Sequence, residues 1–118
     1  MKERPDHFDQ RELAHALSEQ WGLAAGRLRY LPVGFGDHHW ELTDAAGGHW
    51  FVTVAELAGG WRGTGPADGY ADLQAAMETV IALSQAGLEF AVAPVRTTGG
   101  QALAPLGQRT AVTVVPYV

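Results

Sequence analysis

The sequence predicts an α+β domain, and three features predict it. Apolar residues alternate with polar ones on both sides of glycine-rich turns at Gly34 and Gly36 and at Gly47-Gly48, the pattern of antiparallel strands joined by hairpins. Two stretches, residues 9–21 and 70–86, space their apolar residues at helical intervals instead, and each stops at a glycine, Gly22 or Gly87. The chain has 118 residues, 47% hydrophobic and 18% charged, which makes one domain large enough to bury a core.

Residues 1–8 read as a leader. In the first helix Leu13, Ala14, Leu17 and Trp21 share a face, with Asp9 placed to cap the N-terminus. Residues 24–26 link it to a strand that starts near Leu28 and runs into the glycine tip. A second strand, about residues 40–44, turns at residues 45–48 into a third, residues 49–54. Residues 58–69 are a glycine-rich loop. The long helix then carries Leu73, Met77, Val80, Ile81 and Ser84 on one side. Residues 88–97 predict a short strand broken by Pro94, and two more strands follow at 101–106 and 109–115. Residues 112–118 are as apolar as any in the chain, from which we expect a longer protein of which this is the first part.

The totals exclude several classes. A net charge of −5 with eight scattered basic residues argues against nucleic acid as a partner. Without cysteine there are no disulfides and no thiol chemistry. No apolar run reaches the roughly 20 residues of a membrane span, and the charged N-terminus lacks a signal core, so a cytoplasmic protein is expected. His38 and His39 are adjacent on a strand and point to opposite faces, so they do not chelate one metal together, even with His49 across the hairpin. A strand follows Gly34-Phe35-Gly36, where a P-loop or dinucleotide fingerprint needs a helix. That leaves two readings of the tip: a plain hairpin turn, or a flap whose backbone N–H groups cover a phosphate.

Four phrases in this order, Tyr30-Leu31-Pro32-Val33-Gly34-Phe35-Gly36, Trp50-Phe51-Val52-Thr53-Val54, Ala86-Gly87-Leu88-Glu89-Phe90-Ala91-Val92-Ala93-Pro94 and Val114-Val115-Pro116-Tyr117-Val118, resemble the small N-terminal lobe of the protein-kinase-like fold. More narrowly they resemble the aminoglycoside phosphotransferases, small-molecule kinases. The resemblance implies a five-stranded antiparallel sheet with one long packed helix and an extra N-terminal helix. Residues 1–118 would form one lobe: leader and helix over 1–26, sheet and long helix over 27–118. The C-terminal lobe, with its catalytic aspartates, would be absent.

By the same resemblance Gly34, Phe35, Gly36 and Asp37 form the flap over the nucleotide phosphates, and Val33 borders the adenine. Val115, Pro116 and Tyr117 form the hinge that bonds the base. The implied ligands are ATP, Mg in the full-length protein, and a small-molecule acceptor.

The pattern G-x-G-x-x-G-x-V keeps Gly34 and Gly36 but has His39 and Glu41 in its later places. The phosphate-bridging lysine of the third strand is replaced by Thr53, and Lys2 is the only lysine in the chain. Losing that contact removes roughly 1.5–3 kcal/mol of phosphate binding. Arg62 is a candidate substitute, Trp61 a candidate cap on a ligand or a second lobe, and Glu78, with no lysine to pair, is expected to face solvent. The main reading is the nucleotide-binding lobe of a phosphotransferase, inactive as this chain alone. The alternative is a degenerate, non-catalytic binding module, which predicts self-association. A third is an α+β domain of accidental likeness, which strand order decides.

Overall fold

The computed structural model describes residues 10–31, 38–57, 66–87, 93–107 and 110–117. Within them the elements follow as α1 (Gln10–Trp21), β1 (Ala25–Leu31), β2 (His38–Asp44), β3 (His49–Glu56), α2 (Pro66–Gln85), β4 (Ala104–Leu106) and β5 (Thr110–Pro116). The predicted cap Asp9, the tip at 33–37, and Trp61 and Arg62 lie outside the described residues.

The five strands form one antiparallel sheet in the order β1-β2-β3-β5-β4. The long helix enters between the third and fourth strands, as the kinase-like lobe requires. Strand periodicity then sorts the side chains into two faces. Trp40 and Leu42, Val52 and Val54, Val112 and Val114, Ala104 and Leu106 all point to one side, where they bury Leu13, Leu17 and Trp21 of α1. Gly22 ends that helix at φ +68°, its N–H bonded to the Ser18 carbonyl. The Trp21 indole N–H then reaches the Val95 carbonyl at 2.9 Å and ties the helix end to the far edge of the sheet.

Among the described residues the other face is covered only at one end. Leu57, Ile81, Ala102, Leu103 and Ala111 form a second cluster, joined by Tyr70, Leu73 and Met77 of α2. Ala55 and Ala111 pair across β3 and β5 there, and their small side chains leave room for it.

Some boundaries differ from the sequence reading. The first strand starts at Ala25 rather than near Leu28, through an irregularity between Ala25 and Arg27 in which Gly26 lies against the Thr43 carbonyl. The expected strand at 88–97 is not formed in its described part. Residues 93–97 run beside β5 past the end of β4, and the Val95 N–H bonds the Val114 carbonyl at 2.7 Å. Pro94 offers no donor, so no ladder extends from it. The strand expected at 101–106 shortens to Ala104–Leu106, because Ala102 and Leu103 turn into the second cluster.

Glu78 does not merely face solvent. Both its oxygens accept from Arg96, Oε2 from Nη1 and Oε1 from Nη2, each at 2.8 Å, and Nη1 also bonds the Gly100 carbonyl. The guanidinium holds the Glu78 carboxyl below the usual carboxylate range.

Asp44 fixes the β2–β3 hairpin. Its Oδ2 accepts the Trp50 indole N–H at 2.8 Å, and its Oδ1 accepts the N–H groups of Gly48 (2.8 Å) and Ala46 (2.9 Å), with Gly47 at φ +90° completing the turn. These donors, Trp50 and Gly48 foremost, hold the Asp44 carboxyl below its usual 3.8. A carboxyl depressed in the folded state contributes stability that is complete above 3.8 and is lost as pH falls through the lower folded value. Replacing Asp44 with Asn is therefore expected to lower the melting temperature at pH 7 and to flatten its fall between pH 5 and 2. Parallel melting curves for the two proteins across that range would contradict the assignment.

Among the described residues no helix is long and apolar enough to cross a membrane.

Candidate functional site

The face away from α1 is organised in cross-strand rows that the register defines. Nearest the end of β5, Thr43 pairs with His49, and Tyr117 follows as its N–H bonds the His49 carbonyl at 3.1 Å. In the next row Arg29, Glu41, Phe51 and Val115 stand side by side. The row after that holds Leu31, His39, Thr53 and Thr113. Beyond it come Ala55 and Ala111, under the second cluster.

Each row has its own chemistry. The Phe51 ring lies 6.0 Å from Tyr117 and 5.0 Å from His39, all half-buried or exposed, which makes a run of three rings on the face away from α1. Arg29 and Glu41 are paired, Nε and Nη2 both meeting Oε1 at 3.0 Å. In the third row His39 Nδ1 and Thr53 Oγ1 are hydrogen-bonded at 3.0 Å. Leu31 and His38, the residues on either side of residues 32–37, sit at the same end of the sheet as this row.

Of the residues singled out from the sequence, Thr53, Val115 and Tyr117 fall together on this face, while Pro116, one position out of phase, pairs with Trp50 on the α1 side. Val33, Gly34, Phe35, Gly36 and Asp37 lie outside the described residues. At the expected hinge Pro116 has no N–H, and that of Tyr117 is spent on His49. Antiparallel alternation puts the Pro116 carbonyl, like the Val114 carbonyl that meets Val95, on the edge of β5 away from β3. The backbone at 115–117 thus offers a ligand an acceptor rather than a donor.

Sequence reasoning gave Phe51, His39 and Arg96 no place on this face or beside it. Phe51 was accessible to it, since alternation puts it on the same face as Thr53. His39 required the register of the hairpin. Arg96 required the path of the irregular segment beside α2. A groove along α1 and β4, lined by Arg11, Glu12, His15 and Glu19 among others, gathers none of the predicted residues. Among the described residues no group of three or more His, Cys, Asp or Glu is placed to hold a metal ion.

No family model matches the sequence, and no curated protein matches it. Two solved structures do match in fold. One is a spectinomycin phosphotransferase, APH(9)-Ia, in complex with ADP and spectinomycin, with a TM-score of 0.67 and 10% identity over 92% of this chain. The other is the amicoumacin kinase hAmiN in complex with AMP-PNP, Ca2+ and Ami, with a TM-score of 0.68 and 16% identity over 94% of this chain. The chain spans 29% of the length of the first and 31% of the second. Strand order, the position of α2 and these two likenesses agree: the chain has the α+β fold of a kinase-like N-terminal lobe.

Proposed function

We propose that this chain is the nucleotide-binding lobe of a phosphotransferase that moves the γ-phosphoryl group of ATP to a hydroxyl of a small molecule, and that it does not catalyse the transfer by itself. The observation that carries this is the asymmetry of the sheet. Among the described residues α1 seals one face, while the other is covered only by the second cluster at one end and gathers Thr53, Phe51, Val115 and Tyr117 in the rows between residues 32–37 and the end of β5.

The open face suits such a ligand. Phe51 and Tyr117 offer rings against which a purine stacks, Val115 offers an apolar contact, and the Pro116 carbonyl can accept from an exocyclic amine. Thr53 lies one row nearer the tip, at the phosphate end. When bound, ATP supplies the phosphoryl group. In the complete protein Mg2+ and aspartates of a second lobe would act on it, and the acceptor would bind there. Val33, Gly34, Phe35, Gly36 and Asp37 are the proposed flap.

One observation favours the second reading, a non-catalytic module. The lysine–glutamate pair of active kinases is replaced by two separate pairs, Thr53 with His39 and Glu78 with Arg96. That module would bind nucleotide, or a second copy of itself, without turnover.

The test is a titration of the 15N-labelled chain with ATP. The expected result is saturable shifts of the Phe51, Thr53, Val115 and Tyr117 amides, with Leu13 and Leu17 unmoved. Unchanged spectra at millimolar ATP, or shifts centred on α1, would refute the reading.

A further inference from the structure

We propose that His39, positioned by Thr53, is the group that meets the nucleotide phosphates where the third-strand lysine is missing; this rests on the nucleotide-binding reading above. The argument starts from register. β2 and β3 pair so that His39 and Thr53 are direct cross-strand neighbours on the open face. Their side chains are hydrogen-bonded, Nδ1 to Oγ1, at 3.0 Å. The imidazole also lies against Phe51, with 5.0 Å between ring centroids and 32° between planes. Two contacts from β3 therefore set the orientation of one ring on β2.

Position gives that ring a use. It stands in the row nearest the 32–37 tip, beside Leu31, the last residue of β1. A nucleotide with its base over Phe51 and Tyr117 extends its phosphates along the sheet toward this row. In the described part of that row every other side chain, Leu31, Thr53 and Thr113, is uncharged. On the same face Arg29 is committed to Glu41. On α2, Glu78 is committed to Arg96. An imidazole donates a hydrogen bond in its neutral form and two as the cation, and an adjacent phosphate favours the cation. Thr53 lacks the reach and charge of a lysine but can anchor an imidazole, which gains a charge beside a phosphate. The substitution at 53 thus moves the positive group from β3 to β2.

The experiment measures binding of ATP and of adenosine to the wild-type chain, to His39→Ala, and to His39→Ala with Thr53→Lys. Loss of one charge-assisted contact predicts ATP binding about tenfold weaker in His39→Ala. Adenosine should bind unchanged, and the added Thr53→Lys should recover ATP affinity. Thr53→Val, which keeps the shape but removes the Nδ1 hydrogen bond, should give a smaller loss confined to ATP, and serves in place of His39→Ala should that variant fail to fold. Equal ATP binding by wild type and variant, or equal losses for ATP and adenosine, overturns the role of His39 and leaves the nucleotide reading standing. A wild-type chain that binds neither ligand overturns both.

Discussion

Replacing Trp40 with Ala should destabilise the domain by about 3–5 kcal/mol, the largest single loss we expect in the chain. Trp40 is 1% exposed on the face sealed by α1. Its ring meets Tyr30 edge-on at 5.1 Å, and its indole N–H bonds the Gln10 side chain at 3.2 Å. Removal therefore opens a cavity among Leu13, Leu17, Leu42 and Val52 and takes away one tie to the start of α1. Domains of this size are commonly stable by only 5–15 kcal/mol. Urea unfolding is expected to show the midpoint fall by about a fifth or more, with the slope little changed. Trp50 is only partly buried against the same cluster, so Trp50→Ala should cost less. A loss below about 1 kcal/mol for Trp40→Ala would contradict the packing described.

The second expected effect runs against helix propensity. Alanine in place of glycine inside a helix normally gains up to about 1 kcal/mol. Gly69 lies in α2 where a Cβ would meet the Leu57 carbonyl oxygen at 2.8 Å and the Leu57 carbonyl carbon and Cα at 3.5 Å. Those atoms are backbone at the end of β3 and cannot swing aside. Such overpacking costs about 1–3 kcal/mol, enough to outweigh the propensity gain. Gly69→Ala should push α2 off the sheet edge and loosen the cluster of Leu57, Ile81 and Leu103. Amide exchange is the measurement: faster exchange over residues 73–84, with β2 and β3 still protected. A more stable Gly69→Ala protein would show that α2 does not approach Leu57 as described.

What the sequence made legible follows from local chemistry. Gly22 and Gly87 end both helices because their positive φ values, +68° and +95°, suit glycine and cost other residues strain. Leu13, Leu17, Trp21, Leu73, Met77 and Ile81 are where helical spacing puts them. The five-stranded sheet and the place of the long helix also agree with the reading. What was not legible needed distance information.

The hairpin is the clearest case. A turn over residues 45–48 would pair Asp44 with His49 and Trp40 with Thr53. In the structure Thr43 pairs with His49 and His39 with Thr53, since the Asp44 carboxylate draws residues 44–48 into the turn. A slip of one position changes every face, so the partner of Thr53 was hidden from sequence. The Glu78–Arg96 pair was hidden for a related reason. It spans 18 residues, between a helix and an irregular segment that no periodicity locates.

The central claim, that the face of the sheet away from α1 binds a nucleotide, is tested most directly by a crystal structure of the chain grown with AMP-PNP. We expect the base over Phe51 and Tyr117 beside the Pro116 carbonyl, with the phosphates running past Thr53 and His39 toward the 32–37 tip. Nucleotide seated on α1 or along β4, with the open face bare, would contradict the account.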